Sequence, residues 1–247
     1  MNGIGTGMTA LKENLEKLEE AIGAACRRAG RARDEVELMA VSKTYPAETI
    51  AEAVELGLRL FGENRVQEFA AKAAMPSSWR KSTECHLIGR LQSNKANRAA
   101  ELFDGVDSLD SVHLAARLNE AAGKLAKRLP VLIEVKLSPE ETKSGVEPES
   151  SEAATLLEIL PGLPHLEVRG LMTIAPWGVA EDVTRACFRS LSVWRDKWAA
   201  KYPRLRLDVL SMGMSGDFGL AVEEGATRIR IGTALFGKRA PYIGPPE

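Results

Sequence analysis

Leu11, Leu15, Leu18, Ile22 and Cys26 recur every three or four positions, the spacing of one buried helix face. They predict an amphipathic helix over about residues 9–30, capped by Thr9 and closed near Gly30. Beyond it the period changes. Short apolar runs at residues 36–41, 59–62, 85–89, 102–106, 131–135, 166–174, 205–210 and 227–231 read as strands. Helices are predicted between them at 46–56, 65–74, from about 93, and at 111–127, 150–159, 181–200 and 218–224, with Thr233 opening a short last one.

Strand and helix thus alternate about eight times in roughly 250 residues, the period of a closed (β/α)8 barrel. An open doubly wound sheet is the competing architecture. The repeat count and the lack of a linker favour the α/β fold of a single TIM barrel over residues 1–247, with an extra N-terminal helix. The Pro/Gly-rich stretch 241–247 is too short for a domain.

Charge narrows the partners. With 33 Lys and Arg against 34 Asp and Glu, nothing electrostatic favours nucleic acid or an acidic membrane. Cys26, Cys85 and Cys187 are scattered and read as reduced thiols. Residues 1–7 lack the basic start and apolar run of a signal peptide, and no run reaches membrane-spanning length. A cytoplasmic protein is expected.

In a barrel, chemistry gathers at the C-terminal ends of the strands. Those ends supply Lys43, Glu63-Asn64, Gly89 and Gln92, Asp107-Ser108, Lys136, Thr173, Ser211-Met212-Gly213, and residues 230–233. Lys43 follows an unbroken apolar strand. An ammonium in such surroundings resists charging, which frees a neutral amine to attack an aldehyde. A solvated loop lysine is the plainer alternative. The loops after the seventh and eighth strands, residues 211–215 and 232–237, have the glycines and hydroxyls of a phosphate cradle; ordinary turns and caps are the alternative there. A reactive lysine facing such a cradle fits pyridoxal 5'-phosphate, or a sugar phosphate in an aldolase.

Several segments resemble the pyridoxal phosphate homeostasis protein family, also called YggS-like or proline synthetase co-transcribed homologue. They are Ala40-Val41-Ser42-Lys43-Thr44, Phe61-Gly62-Glu63-Asn64-Arg65-Val66-Gln67-Glu68 and His86-Leu87-Ile88-Gly89-Arg90-Leu91-Gln92-Ser93-Asn94-Lys95. Lys143-Ser144-Gly145, Arg169-Gly170-Leu171-Met172, Leu210-Ser211-Met212-Gly213-Met214-Ser215 and Arg228-Ile229-Arg230-Ile231-Gly232-Thr233 extend the resemblance over nearly the whole chain. It implies a barrel similar to the N-terminal domain of bacterial alanine racemase, with pyridoxal 5'-phosphate as a Schiff base on Lys43. Asn64 is then expected beside the ring and Arg230 at the pyridine nitrogen. Ser211, Met212, Gly213, Gly232 and Thr233 are expected around the phosphate, partly through backbone amides. Lys136 departs from the pattern, where an asparagine is expected.

The resemblance implies reversible cofactor binding that buffers the free pool and supplies apo-enzymes, by a monomer. An amino-acid racemase is the alternative. Arg230 can only donate, so it leaves the pyridine nitrogen unprotonated and weakens the electron sink. A racemase also needs a second acid/base. Tyr45 is the one tyrosine near the site in sequence, and it is expected to pack on the first helix. The carrier reading is therefore favoured, with no catalytic residue assigned. A cofactor-free aldolase is the third reading.

The remaining polar groups carry less. His86, His113 and His165 are too dispersed for a metal site, and His86 reads as a hydrogen-bonded structural histidine. Asn94, Lys95 and Arg98 read as a solvated helix face rather than an anion site. Lys143 is a weaker candidate for a second aldehyde acceptor. Trp194 and Trp198 read as packing.

Overall fold

The computed structural model describes residues 4–75, 79–138, 140 and 144–237. After α1 (Ile4–Arg28) the chain runs β1 (Glu37–Val41), α2 (Ala47–Glu55), β2 (Leu60–Glu63), α3 (Val66–Ala73), β3 (Glu84–Leu87), α4 (Ala96–Leu102) and β4 (Gly105–Leu109). It continues through α5 (Val112–Lys124), β5 (Leu129–Glu134), α6 (Ser151–Ile159), β6 (Leu166–Met172) and α7 (Glu181–Lys201). It ends with β7 (Val209–Ser211), α8 (Phe218–Glu223), β8 (Arg228–Ile231) and α9 (Thr233–Phe236).

The eight strands close in sequence order into a parallel barrel, β8 pairing with β1 through Glu37↔Arg228 to Ala40↔Ile231. Helices cover the outside, so most strand positions are buried on both faces, as in Leu38 to Val41 and Leu60 to Glu63. Gly170 makes one closure possible. A Cβ there would stand 1.9 Å from the Val209 carbonyl oxygen of β7. Trp194 and Trp198 pack together as expected, ring centres 5.8 Å apart.

Four expectations need correction. Thr9 lies inside α1 and does not begin it. The apolar residues Leu102 and Phe103 end α4, and the fourth strand starts only at Gly105. Leu205 and Leu207 are buried but outside the ladder, so β7 has three residues; burial had mimicked the strand pattern. Asp107 sits within β4, away from the rim, where it bonds His86 Nδ1 at 2.8 Å and Arg228 Nη1 at 3.2 Å. Burial alone would raise its pKa, but His86 and Arg228 hold it below the usual carboxylate range. His86 is thus the structural histidine expected.

Candidate functional site

β1 delivers Lys43 to the C-terminal rim. Ser42 is fully buried, Lys43 is half-buried and Thr44 takes a left-handed φ of 68°. A β-branched residue adopts that conformation only when its surroundings impose it. They do so through α3. Lys72 Nζ donates to the Ser42 carbonyl at 2.9 Å, and the Thr44 amide donates to Glu68 Oε1 at 2.5 Å. Ser42 Oγ donates to Glu63 Oε1 at 2.7 Å, and the same oxygen receives Lys72 at 2.8 Å. The peptides on both sides of Lys43 are therefore held by one buried charge cluster.

Asn64 follows β2, with its Oδ1 buried and lacking a hydrogen-bond partner. Its backbone packs so closely on Gly89 that a Cβ there would lie 2.3 Å from the Asn64 carbonyl oxygen. Ser108 Oγ donates to the Gly89 carbonyl at 2.7 Å. This ties the ends of β2, β3 and β4 together.

Across the rim, Arg230 is buried and donates to Ser211 Oγ at 2.9 Å and to the Thr173 carbonyl at 2.8 Å. Desolvation moves its pKa below the usual guanidinium value. Gly213, at φ 91°, turns the β7 loop where a Cβ would stand 2.5 Å from Ala221 Cβ. Ser215 Oγ accepts the Ala234 amide at 3.2 Å, joining this loop to α9. Thr233 is exposed at the first position of α9. The Met212 amide is already given to the Arg228 carbonyl, whereas those of Gly232 and Thr233 have no acceptor among the described residues. So Met212 contributes packing to the cradle, while Gly232 and Thr233 offer N–H groups.

Other expectations resolve individually. Tyr45 packs against Phe236 in a tilted pair, ring centres 4.9 Å apart, and donates to the Gly237 carbonyl at 2.7 Å, which ties it to α9. Lys136 pairs with Glu147 at 3.5 Å. Lys143 lies outside the described residues. Among the described residues no group of three His, Cys, Asp or Glu could hold a metal, and no helix is long and apolar enough to cross a membrane.

Two features escaped the sequence reading. One is the charge cluster on α3. Its signal was a lysine at position 72, in the stripe made by Val66 and Phe69. The other is Glu134 at the end of β5, bonded by Ser144 Oγ at 3.0 Å, whose Oε2 has no partner. Burial pushes its pKa up to about 7. Between 4.5 and about 7 the folded chain therefore holds a proton that the unfolded chain has lost, and stability falls as pH rises through that window. Glu134→Gln should remove up to about 3 kcal/mol of that fall. Melting temperatures of both proteins from pH 5 to 8 check this: the wild-type curve should decline more steeply, and parallel curves would refute it.

A parallel barrel with a lysine after β1 and open backbone amides after β8 invites comparison with known proteins. Residues 8–240 match the family described as Alanine racemase, N-terminal domain. A relative from Vibrio cholerae named pyridoxal phosphate homeostasis protein is 44% identical over 235 residues, covering 94% of this chain and 98% of its own. PipY of Synechococcus elongatus, solved with PLP bound, superposes with a TM-score of 0.80 at 42% identity, over 92% of this chain and 100% of that one. This chain belongs to the pyridoxal phosphate homeostasis protein family. Alanine racemase of Clostridium difficile matches with a TM-score of 0.71 at 15% identity, over 94% of this chain and 57% of that one, which shows a shared fold.

Proposed function

We propose that this protein captures pyridoxal 5'-phosphate reversibly on Lys43, buffers its free concentration and releases it to apo-enzymes, without turning over a substrate of its own. The observation that carries this reading is a lysine and an amide-lined cradle on the same rim, in a chain 42% identical to a protein solved with PLP. The residues present fit the group. Asn64 has an orphaned buried oxygen, and Gly232 and Thr233 have uncommitted amides. When bound, the cofactor supplies an aldehyde for the amine and a ring that withdraws electrons.

The chain's own residues then divide the work. Lys43 provides the amine, positioned by the bonds on either side of it. The β8 loop offers the phosphate the Gly232 and Thr233 N–H groups at the start of α9, with the β7 loop joined beside it through Ser215. Arg230, fixed by Ser211 and Thr173, presents donors only. It offers no proton to the pyridine nitrogen, so carbanion chemistry is poorly supported. That feature favours carriage over racemisation.

Borohydride treatment followed by mass spectrometry tests the reading. The wild type should gain the mass of one cofactor on the peptide containing Lys43, and Lys43→Ala should gain none. Attachment at another lysine would overturn the site. D-amino acid formed at ordinary turnover from single L-amino acids would overturn the carrier assignment.

A further inference from the structure

Beside Asn64 the rim opens into a groove of about 980 Å³, bounded by the starts of α3 and α5 and the loop from β3 to α4. Leu91 and Leu114 form its apolar floor, both buried. Arg90 and Lys95 stand on its walls.

The state of those two cations sets the groove apart. Elsewhere on the surface many basic side chains are matched to acids: Arg98 to Glu101, Arg117 and Lys124 to Glu120, Arg189 to Glu224. Neither Arg90 nor Lys95 makes an ion pair or side-chain hydrogen bond among the described residues. The groove also holds two carboxylates, neither of them in an ion pair with Arg90 or Lys95. Glu68 faces Lys72 at 2.8 Å and the Thr44 amide. Burial raises the pKa of Asp110, and Ser111 and the charge of Arg90 pull it back, without an ion pair between Asp110 and Arg90. Two uncommitted cations in a concave wall concentrate positive potential.

We propose that this groove is a second oxyanion site, in which Arg90 and Lys95 hold the phosphate or carboxylate end of a small organic acid whose body lies over Leu91 and Leu114 towards Asn64. Arginine gives an oxyanion two parallel N–H bonds and lysine adds a point charge. The Ser93 hydroxyl and Gln92 carboxamide, both in the lining, supply further donors. Lys95, read from sequence as part of a solvated helix face, belongs to this wall, while Arg98 is spent on Glu101.

Calorimetric titration with inorganic phosphate, pyrophosphate and succinate tests the proposal. The protein should first be loaded with pyridoxal 5'-phosphate and reduced with borohydride, which fills the cradle. Saturable binding is expected, weakened at least tenfold in Arg90→Gln and in Lys95→Gln with melting temperatures unchanged. Binding by the phosphates alone assigns a phosphate ester, and binding by succinate alone assigns a carboxylate. Absence of saturable binding for all three probes, or binding indifferent to both substitutions, overturns the site. Should the cofactor fail to load, the carrier reading falls; the same titration of untreated protein, judged by its dependence on Arg90 and Lys95, still decides the groove.

Discussion

Lys72→Met should cost about 3–5 kcal/mol of folding stability at neutral pH, among the largest losses for a single substitution outside the barrel staves. The methionine fits the space but cannot answer Glu63, which is fully buried and whose Oε2 already lacks a partner. Burial raises the pKa of Glu63 and Lys72 pulls it back. Without that ammonium the carboxyl must either ionise unpaired or take a proton, and both cost free energy. A raised carboxyl pKa means stability lost as pH climbs, so the variant should suffer more at pH 8 than at pH 5. Adding Glu63→Gln should recover part of the loss, because the pair is then removed together. Urea denaturation of the single and double variants measures each step. A single-variant loss below about 1 kcal/mol would mean the cluster is not a working ion pair. Cofactor capture should also slow, since Lys72 and Glu68 hold the peptides beside Lys43.

Gly170→Ala should open the barrel between β6 and β7. The added carbon would stand 1.9 Å from the Val209 carbonyl oxygen and 2.6 Å from its carbon. Both atoms are backbone, so no rotamer change relieves the clash. The pairing they sit in is short, running Gly170↔Val209, Leu171↔Leu210 and Met172↔Ser211. Overpacking of this kind costs about 1–3 kcal/mol where side chains can shift, and more where they cannot. A loss of at least about 3 kcal/mol is expected, equivalent to roughly 6–12 °C in a domain of this size. Gly162→Ala is the control: it has open space around the new carbon and should melt with the wild type. Equal melting of all three proteins would refute the steric account.

The barrel was legible because its strands are buried on both faces. Runs such as Val131-Leu132-Ile133 then carry an unbroken apolar signal whichever way each side chain points. The edges of that signal misled where burial and ladder pairing part company. Leu205 and Leu207 are core residues without being strand residues, and Leu102 is the end of a helix. At the site, Lys43 and the two glycine-bearing loops could be read because strand order places them. Their supports could not. The bonds from Lys72 and Glu68 to the Lys43 flanks cross 30 and 24 residues, a relation that arises only once β2 has paired with β1 and brought α3 beside it. Asp107 was misplaced for a related reason: the fourth strand begins later than its apolar run implies, so its polar residue points to the opposite pole.

The opening helix reaches across the seam where the barrel closes. Asn14 of α1 donates to the Leu235 carbonyl at 3.0 Å, inside the short turn whose first residue is Thr233. The position of that turn therefore depends on a helix outside the barrel wall, and a change in α1 reaches the residue that opens α9 without passing through the mouth of the barrel.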